Sequence, residues 1–288
     1  MHYNQTKYED FSRLRPAYKF NLVANWDELN RNVAREVVDA LKAAHAANKQ
    51  ILLILPVGPL DFSYWARRCN QENVACAPLI VMNMDEYLDD QDNFISLEHP
   101  LSFRRFMQRN FVELLKPKLR PNPANLKFPD PAQPEATTAF IEAFGGADLC
   151  YGGVGIAGHL AFNDPPEPGE WVSDHAVRDS RTRRLTISRE SATQMAMGGV
   201  SGNWDILPRR AVTLGMHEIL LSKKLHLTFL RNWHAGTMRR ALFGPITGKW
   251  PASFVQEHKN IEVTVTRLAA KPPLSSNLLQ ATGEGEET

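Results

Sequence analysis

Gln50-Ile51-Leu52-Leu53-Ile54-Leu55-Pro56-Val57 is an unbroken apolar run, and it directly follows Asn32 to Asn48, where Val33, Val37, Val38, Leu41 and Ala44 recur at helical spacing. A strand that is apolar at both parities must be buried on both faces, the mark of a parallel sheet covered by helices on each side. The pattern repeats along the chain. Strands are predicted at Pro78 to Met84, Leu149 to Val154, Arg184 to Ser188, Ala211 to Gly215, Leu225 to Arg231 and Ile261 to Arg267. Helices are predicted between them at Phe62 to Asn70, Leu101 to Leu115, Ala136 to Phe144 and Ala235 to Phe243. This alternation gives an α/β fold, a three-layer α/β/α sandwich around a mostly parallel sheet.

A chain of 288 residues with 43% hydrophobic residues buries a sizeable core, and as α/β it forms one domain, expected over residues 28–270. The net charge of +1 gives no general attraction to nucleic acid or to an anionic membrane, so partners are recognised by local sites. Cys69, Cys76 and Cys150 are odd in number and lack metal-ligand spacing, which reads as buried reduced thiols. No apolar run approaches the roughly 18 residues of a membrane span, and the polar start Met1-His2-Tyr3-Asn4-Gln5 has no signal-peptide core, so a cytoplasmic location is expected. Residues 1–27 carry Tyr3, Tyr8, Phe11, Tyr18, Phe20 and Trp26, an aromatic arm expected to pack on the domain or on a neighbouring subunit of a homo-oligomer. Pro121 to Pro134 reads as a surface loop, the charged stretch around 164–200 as a lid, and the Pro-, Ser-, Gly- and Glu-rich residues 271–288 as a flexible tail.

Chemistry concentrates in Gly152-Gly153-Val154-Gly155-Ile156-Ala157-Gly158-His159-Leu160-Ala161-Phe162-Asn163-Asp164-Pro165. Its glycines let the backbone approach a ligand, and successive exposed amides in such a turn form a nest for anionic or hydroxyl oxygens. In an open α/β sheet ligands sit at the carboxyl ends of the strands. Asp85 and Glu86 end one predicted strand, and the Gly153 to His159 loop ends another. A carboxylate and an imidazole thus share one crevice, a pairing suited to moving protons. The alternative for Asp85 and Glu86 is a helix-capping pair, and for His159 a hydrogen-bonded core histidine.

The run Ile80-Val81-Met82-Asn83-Met84-Asp85-Glu86-Tyr87, the later His99-Pro100-Leu101-Ser102 leading to Phe106-Met107 and Asn110-Phe111, the glycine loop, Ala211 to Leu221 and Pro251-Ala252-Ser253-Phe254-Val255-Gln256-Glu257-His258 resemble, in order, motifs of the glucosamine-6-phosphate deaminase family. The resemblance spans roughly residues 30 to 270. It implies a modified Rossmann-like sheet shared with ribose-5-phosphate isomerases and coenzyme A transferases. It also implies a sugar or amino-sugar substrate, phosphorylated or not, and isomerase or deaminase chemistry. The aspartate matching Asp85 moves a proton between C2 and C1 of the opened sugar, and the histidine matching His159 protonates the ring oxygen. Glu86 and Asp164 complete the implied catalytic set. With no metal cluster or nucleotide loop in the sequence, no cofactor is expected.

Departures from the family fall at both ends of the site. The family's aspartate two residues before the histidine is Ala157 here, and its glutamate five residues after is Asp164, which weakens the expected support for a charged imidazole. The family's phosphate-holding turn is replaced by Pro56-Val57-Gly58-Pro59-Leu60-Asp61, in which Pro59 has no amide proton and Asp61 repels phosphate. Its phosphate lysine falls at His234, and its lid arginine falls near Met195. Gly58, Pro59, Asp61, Gly153, Gly155, Ala157, Arg231 and His234 are the residues expected to meet the substrate. Arg231, His234 and Arg239 are candidates to rebuild a positive pocket, the alternative for Arg239 and Arg240 being a solvated helix face. A hydrolase resembling 6-phosphogluconolactonase shares the glycine loop, but Asn83 to Tyr87 and Ala161-Phe162-Asn163 look like the deaminase branch. A non-catalytic sugar-binding regulator needs no proton-transfer pair, and this chain keeps both Asp85 and His159.

Overall fold

The computed structural model describes residues 3–273. In chain order the elements are α1 (Phe11–Leu14), β1 (Lys19–Val23), α2 (Trp26–Ala46), β2 (Ile51–Leu55), α3 (Phe62–Glu72), β3 (Leu79–Asn83), β4 (Asp85–Leu88), α4 (Phe103–Met107), β5 (Leu126–Lys127) and α5 (Pro134–Ala143). They continue with β6 (Leu149–Gly153), α6 (Asp174–Arg178), β7 (Arg183–Thr186), α7 (Arg189–Gly199), β8 (Arg210–Thr213), α8 (Met216–Leu220), β9 (Leu225–Phe229), α9 (His234–Phe243), β10 (Ile261–Thr266) and α10 (Arg267–Ala270). Seven strands form one sheet in the order β1-β10-β9-β6-β2-β3-β5, every pairing parallel.

The apolar run that defines β2 works on both faces. Leu52 and Ile54 join a core with Met238, Leu242 and Phe254 of α9 and the 3-10 segment Pro251–Glu257. Leu53 and Leu55 join the opposite core with Val33, Val37 and Leu41 of α2 and Trp65 of α3. Burying each such side chain contributes about 1.5–3 kcal/mol, so a polar residue at either parity is disfavoured. The result is the three-layer sandwich.

Three differences from expectation matter for the site. First, the strand predicted around Arg184 to Ser188 and the one at Ala211 to Gly215 are β7 and β8, which pair antiparallel in a separate sheet of order β4-β8-β7. Second, the helix expected from Leu101 to Leu115 is α-helical only over Phe103–Met107 and continues as a π turn, Gln108–Val112. Third, residues 1–27, expected as an aromatic arm that packs on the domain or on a neighbouring subunit, supply β1, an edge strand of the main sheet, and Phe11 packs 4.9 Å from the Phe243 ring. Of the tail expected at 271–288, all but the first three residues lie outside the described residues. The three cysteines are free and buried. Among the described residues no helix is long and apolar enough to cross a membrane.

Arg239 overturns both sequence expectations for it. It is fully buried, and its guanidinium donates to the carbonyl oxygens of Thr6, Ala235, Ala269 and Ala270. It therefore ties the N-terminal segment to the end of the domain and offers nothing to a ligand.

The amino-terminal edge of the sheet carries a second ionic structure under α2. Glu36 accepts from Lys224 Nζ at 2.5 Å and from Tyr151 Oη at 2.7 Å, and it lies 2.7 Å from His226 Nδ1. Lys224 also reaches Glu262 at 2.6 Å. Burial pushes the Glu36 carboxyl up, but His226, Lys224 and Tyr151 more than cancel that and hold it down at about 2. A carboxyl depressed in the folded state adds stability that is present above its unfolded value near 4.5 and is lost as pH falls toward 2. The shift corresponds to about 3 kcal/mol. Glu36→Gln is therefore expected to destabilise the protein at pH 7 in urea unfolding, and the gap from wild type should close between pH 4.5 and pH 2.5. A gap that stays constant with pH would remove the ionic explanation.

Candidate active site

The strand order turns around at β2 and β6. From β2 the chain steps outward through β3 to β5, then returns to β6 beside β2 and proceeds through β9 to β10. Loops leaving the carboxyl ends of β2, β3 and β6 are thereby brought together, which is where α/β sheets bind ligands. Contacts confirm the convergence: a Cβ on Gly153, at the end of β6, would lie 3.1 Å from the Pro59 ring on the loop after β2.

Asp85 follows β3 and opens β4, where it pairs with Thr213 of β8. Its residue is 7% exposed. Loss of solvation, and then the neighbouring Glu86 charge, push its carboxyl up to about 8. Glu86 has another task. Its two carboxylate oxygens accept from the amides of Tyr87, Phe103 and Arg104 at 2.9, 3.0 and 2.8 Å, from Ser102 Oγ at 3.2 Å and from Arg104 Nε at 3.3 Å. Glu86 thus supplies acceptors for the first amides of α4, whose N-cap is Ser102.

His159 is held by the glycine loop. A Cβ at Gly155 would lie 1.9 Å from His159 Nε2, so only glycine lets the imidazole stand over the backbone there. Gly158 has φ +79°, and a Cβ on it would meet the Trp250 ring at 2.2 Å. The Gly155 amide donates to the His159 carbonyl at 2.9 Å, closing the turn. His159 Nδ1 lies 2.8 Å from Asp164 Oδ1, so the carboxylate one carbon shorter than the family's glutamate still reaches the ring. Burial pushes the Asp164 carboxyl up, but hydrogen bonds from His159, Ser191 and Ser188 carry it below the usual range.

The His159 loop and the Asp85 strand are tied together through β8 and the residue after it. The Phe162 amide donates to Thr213 Oγ1 at 3.2 Å, Asn163 Nδ2 donates to the Leu214 carbonyl at 2.9 Å, and the Leu214 amide donates to the Met84 carbonyl at 2.8 Å. The Phe162 ring also packs 5.6 Å from Tyr87. Helix α7 closes over the loop: Ser191 Oγ bonds Asp164, and Gln194 Oε1 accepts from the Ile156 amide at 2.8 Å. Ala157 has only a methyl group to offer, and it is half-buried.

At the substrate end, Asp61 is the N-cap of α3, its carboxylate accepting from the Ser63 amide at 2.9 Å. The helix start that would receive an anion is already filled by the chain's own carboxylate. His234 Nδ1 accepts from the amides of Leu230 and Arg231 at 2.7 and 2.9 Å. Burial, and then the charge of Arg231, hold its imidazole down at about 3, so it is neutral at pH 7. Arg231 is exposed, and its guanidinium lies beside Gly198 of α7. Of the three residues expected to rebuild a positive pocket, only Arg231 presents a charge. A cavity of about 530 Å³ opens beside Asp164 toward Arg183 and Ser188, but neither Asp85 nor His159 lines it.

Among the described residues one group has metal-ligand chemistry in close range, Glu36, His226 and Glu262. Lys224 Nζ lies 2.5 Å from Glu36 and 2.6 Å from Glu262, where it occupies the place of a cation. Ser102 and Thr213 stood inside the motifs read from the sequence, but without a role, and Ser191 and Gln194 were passed over. Ser191 and Gln194 stand in no pattern that separates them from ordinary helix residues.

No family model matches the chain. Among curated proteins, the glucosamine-6-phosphate deaminase of Porphyromonas gingivalis is 30% identical over 244 residues, covering 82% of this chain and 86% of that protein. The enzyme of the same name from Parabacteroides distasonis is also 30% identical over 244 residues, covering 81% and 83%. Among solved structures, a monomeric glucosamine-6-phosphate deaminase superposes with a TM-score of 0.73 at 24% identity over 88% of this chain and 98% of that one. The 6-phosphogluconolactonase of Thermotoga maritima superposes at 0.58 and 14%, over 87% and 100%, a likeness of fold alone. With the Asp85 strand, the His159 loop and the ties between them in place, the extent of the sequence match settles that this chain belongs to the glucosamine-6-phosphate deaminase family.

Proposed function

We propose that this protein is a sugar deaminase/isomerase in which Asp85 moves a proton between C2 and C1 of an opened amino sugar and His159 protonates the ring oxygen. The observation that carries it is the burial of Asp85 beside Glu86. A carboxyl in that setting, raised to about 8, is largely neutral at pH 7. An amino sugar brings its own ammonium to C2, and a cation beside Asp85 favours the carboxylate that can accept the C2 proton. The substrate thus helps to generate its base, which a neutral hexose does not do. His159 presents Nε2 over Gly155 while Nδ1 faces Asp164, an arrangement suited to handing a proton to a ring oxygen. Glu86, saturated by five donors, acts on Asp85 through charge and position.

The substrate end favours a sugar that lacks a 6-phosphate or places its charge elsewhere. Asp61 caps α3, Pro59 has no amide proton, and neutral His234 stands where the family's lysine falls. Each missing charge-assisted hydrogen bond is worth about 1.5–3 kcal/mol, so losing two or three weakens phosphate binding by on the order of a thousandfold or more.

Two measurements test these assignments. Asp85→Asn should lower turnover by about 10² to 10⁴ fold, read as exchange of the C2 hydrogen with solvent deuterium. Because a carboxyl raised in the folded state loses stability as pH rises from 3.8 toward 8, the same substitution should stabilise the protein at pH 8, by at least about 1 kcal/mol. For wild type, kcat/KM should rise with pH toward about 8, and with an amino sugar the kcat profile should rise at lower pH. Wild-type protein that exchanges no C2 deuterium in any aldose, ketose or amino sugar would sink the isomerase assignment. Turnover of glucosamine 6-phosphate is expected below a kcat/KM of about 10⁴ M⁻¹s⁻¹, the low end for ordinary enzymes. A higher value would show that Arg231 holds the phosphate.

A further inference from the structure

The imidazole of His159 has one carboxylate partner, Asp164, because residue 157 is alanine. A carboxylate held by a single contact can rotate, and the ring it bonds rotates with it. Here the hydroxyls of Ser188 and Ser191 both bond Asp164, and Ser191 also reaches the ring. Ser191, on the first turn of α7 and 2% exposed, places Oγ 2.8 and 2.9 Å from the two oxygens of Asp164 and 3.3 Å from His159 Nδ1. The hydroxyl has one proton, and the carboxylate takes it. Nδ1 faces Asp164, so the ring proton belongs on Nδ1 and Nε2 is left as the nitrogen that exchanges a proton with a ligand. Among the described residues nothing bonds Nε2.

The position of Ser191 is fixed in turn by the helix that carries it. Ser188 caps α7 by accepting from the Ser191 amide at 3.0 Å, and Gln194, one turn further on, fastens the helix to the Ile156 amide of the glycine loop. The Asp164 carboxylate sits at the amino end of an eleven-residue helix, where the helix dipole favours negative charge. Arg183 adds a second positive influence, since its charge interacts with Asp164. Displacing α7 removes Ser191 and Gln194 together and leaves the Asp164 and His159 pair without its lock.

We propose that Ser191 is a positioning residue for His159, delivered by helix α7, and that it performs the orienting task for which this chain has no carboxylate at residue 157. Its effect on turnover presupposes the proton transfers assigned to Asp85 and His159, but its effect on the imidazole does not.

The test uses the full chain with Ser191→Ala and Ser191→Thr. The nitrogen-15 signals of His159 report, without substrate, which ring nitrogen holds the proton. Wild type should show the Nδ1–H form, Ser191→Ala a mixture of the two tautomers, and Ser191→Thr the wild-type form. In C2 deuterium exchange, Ser191→Ala should lower kcat by about 10 to 100 fold with KM changed less than about threefold, as expected when a reacting group is misplaced rather than lost, and Ser191→Thr should recover most of the rate. Unchanged imidazole signals in Ser191→Ala would overturn the proposal, whatever the activity. Equal loss in both variants, with a lowered melting temperature in each, would also overturn it by reducing Ser191 to a packing residue. A changed tautomer in Ser191→Ala, when wild type itself exchanges no C2 deuterium, would uphold the positioning role while removing the isomerase assignment.

Discussion

The candidate site depends on one short strand end, Thr213-Leu214, that is bonded to both the Asp85 strand and the His159 loop. Through β8 it pairs with Asp85, through Thr213 Oγ1 it receives the Phe162 amide, and through the Leu214 carbonyl it receives the Asn163 side chain. The parallel sheet brings the loops after β3 and β6 to the same edge, but that alone fixes them only to within the slack of two loops. The hydrogen bonds to Thr213 and Leu214 turn that neighbourhood into a defined geometry. Asp85 and the His159 loop are thus positioned by a small antiparallel sheet, and the large parallel one supplies the platform.

Buried ionisable groups have opposite fates at the two ends of the main sheet. At the amino-terminal edge, Glu36, Glu262, Lys224 and His226 are paired, so every charge has a compensating partner and the network ties α2 to the sheet. At the carboxyl edge, Asp85 has no cation beside it among the described residues and a second carboxylate next to it in sequence. A charge left uncompensated in an interior costs several kcal/mol, and the chain keeps it as a proton instead. The first arrangement stabilises the fold, whereas the second raises the Asp85 carboxyl.

Much of the fold was legible because its signals are local. The apolar runs of β2 and β3 and the helical spacing of α2 and α3 survive without tertiary context, and the motif order located the Asp85 strand and the His159 loop. What was hidden depends on partners distant in sequence. The strands Leu225–Phe229 and Ile261–Thr266 alternate polar and apolar residues, which ordinarily marks a half-exposed strand, yet both are wholly buried. Their polar side is covered by α2 because His226, Thr264 and Glu262 find each other and Glu36 there. Arg239 misled in the same way. Its four carbonyl partners come from residues 6, 235, 269 and 270, and a one-dimensional pattern cannot show that convergence. The chemistry of Glu86 was open in the sequence, and its occupation by the amides of α4 needed the fold to bring residues 86 and 102–104 together.

Asp61, Ala157 and Ser191 together show how a site can be rewritten without moving its scaffold. At residue 61 a carboxylate takes the helix start that otherwise welcomes an anion, so the chain satisfies internally a position that a ligand would fill. At residue 157 the side chain is a methyl group, and the imidazole of His159 meets Asp164, which is bonded in turn by a hydroxyl on α7. Neither residue moves β2, β6 or the glycine loop from its place in the fold. The second change has a consequence that the first lacks. The glycine loop is part of the fixed sheet edge, whereas α7 lies in the segment between β7 and β8, so on the proposed roles the orientation of His159 depends on how that segment is docked. On that proposal the helix that orients the imidazole also covers it, and covering a site excludes water from it.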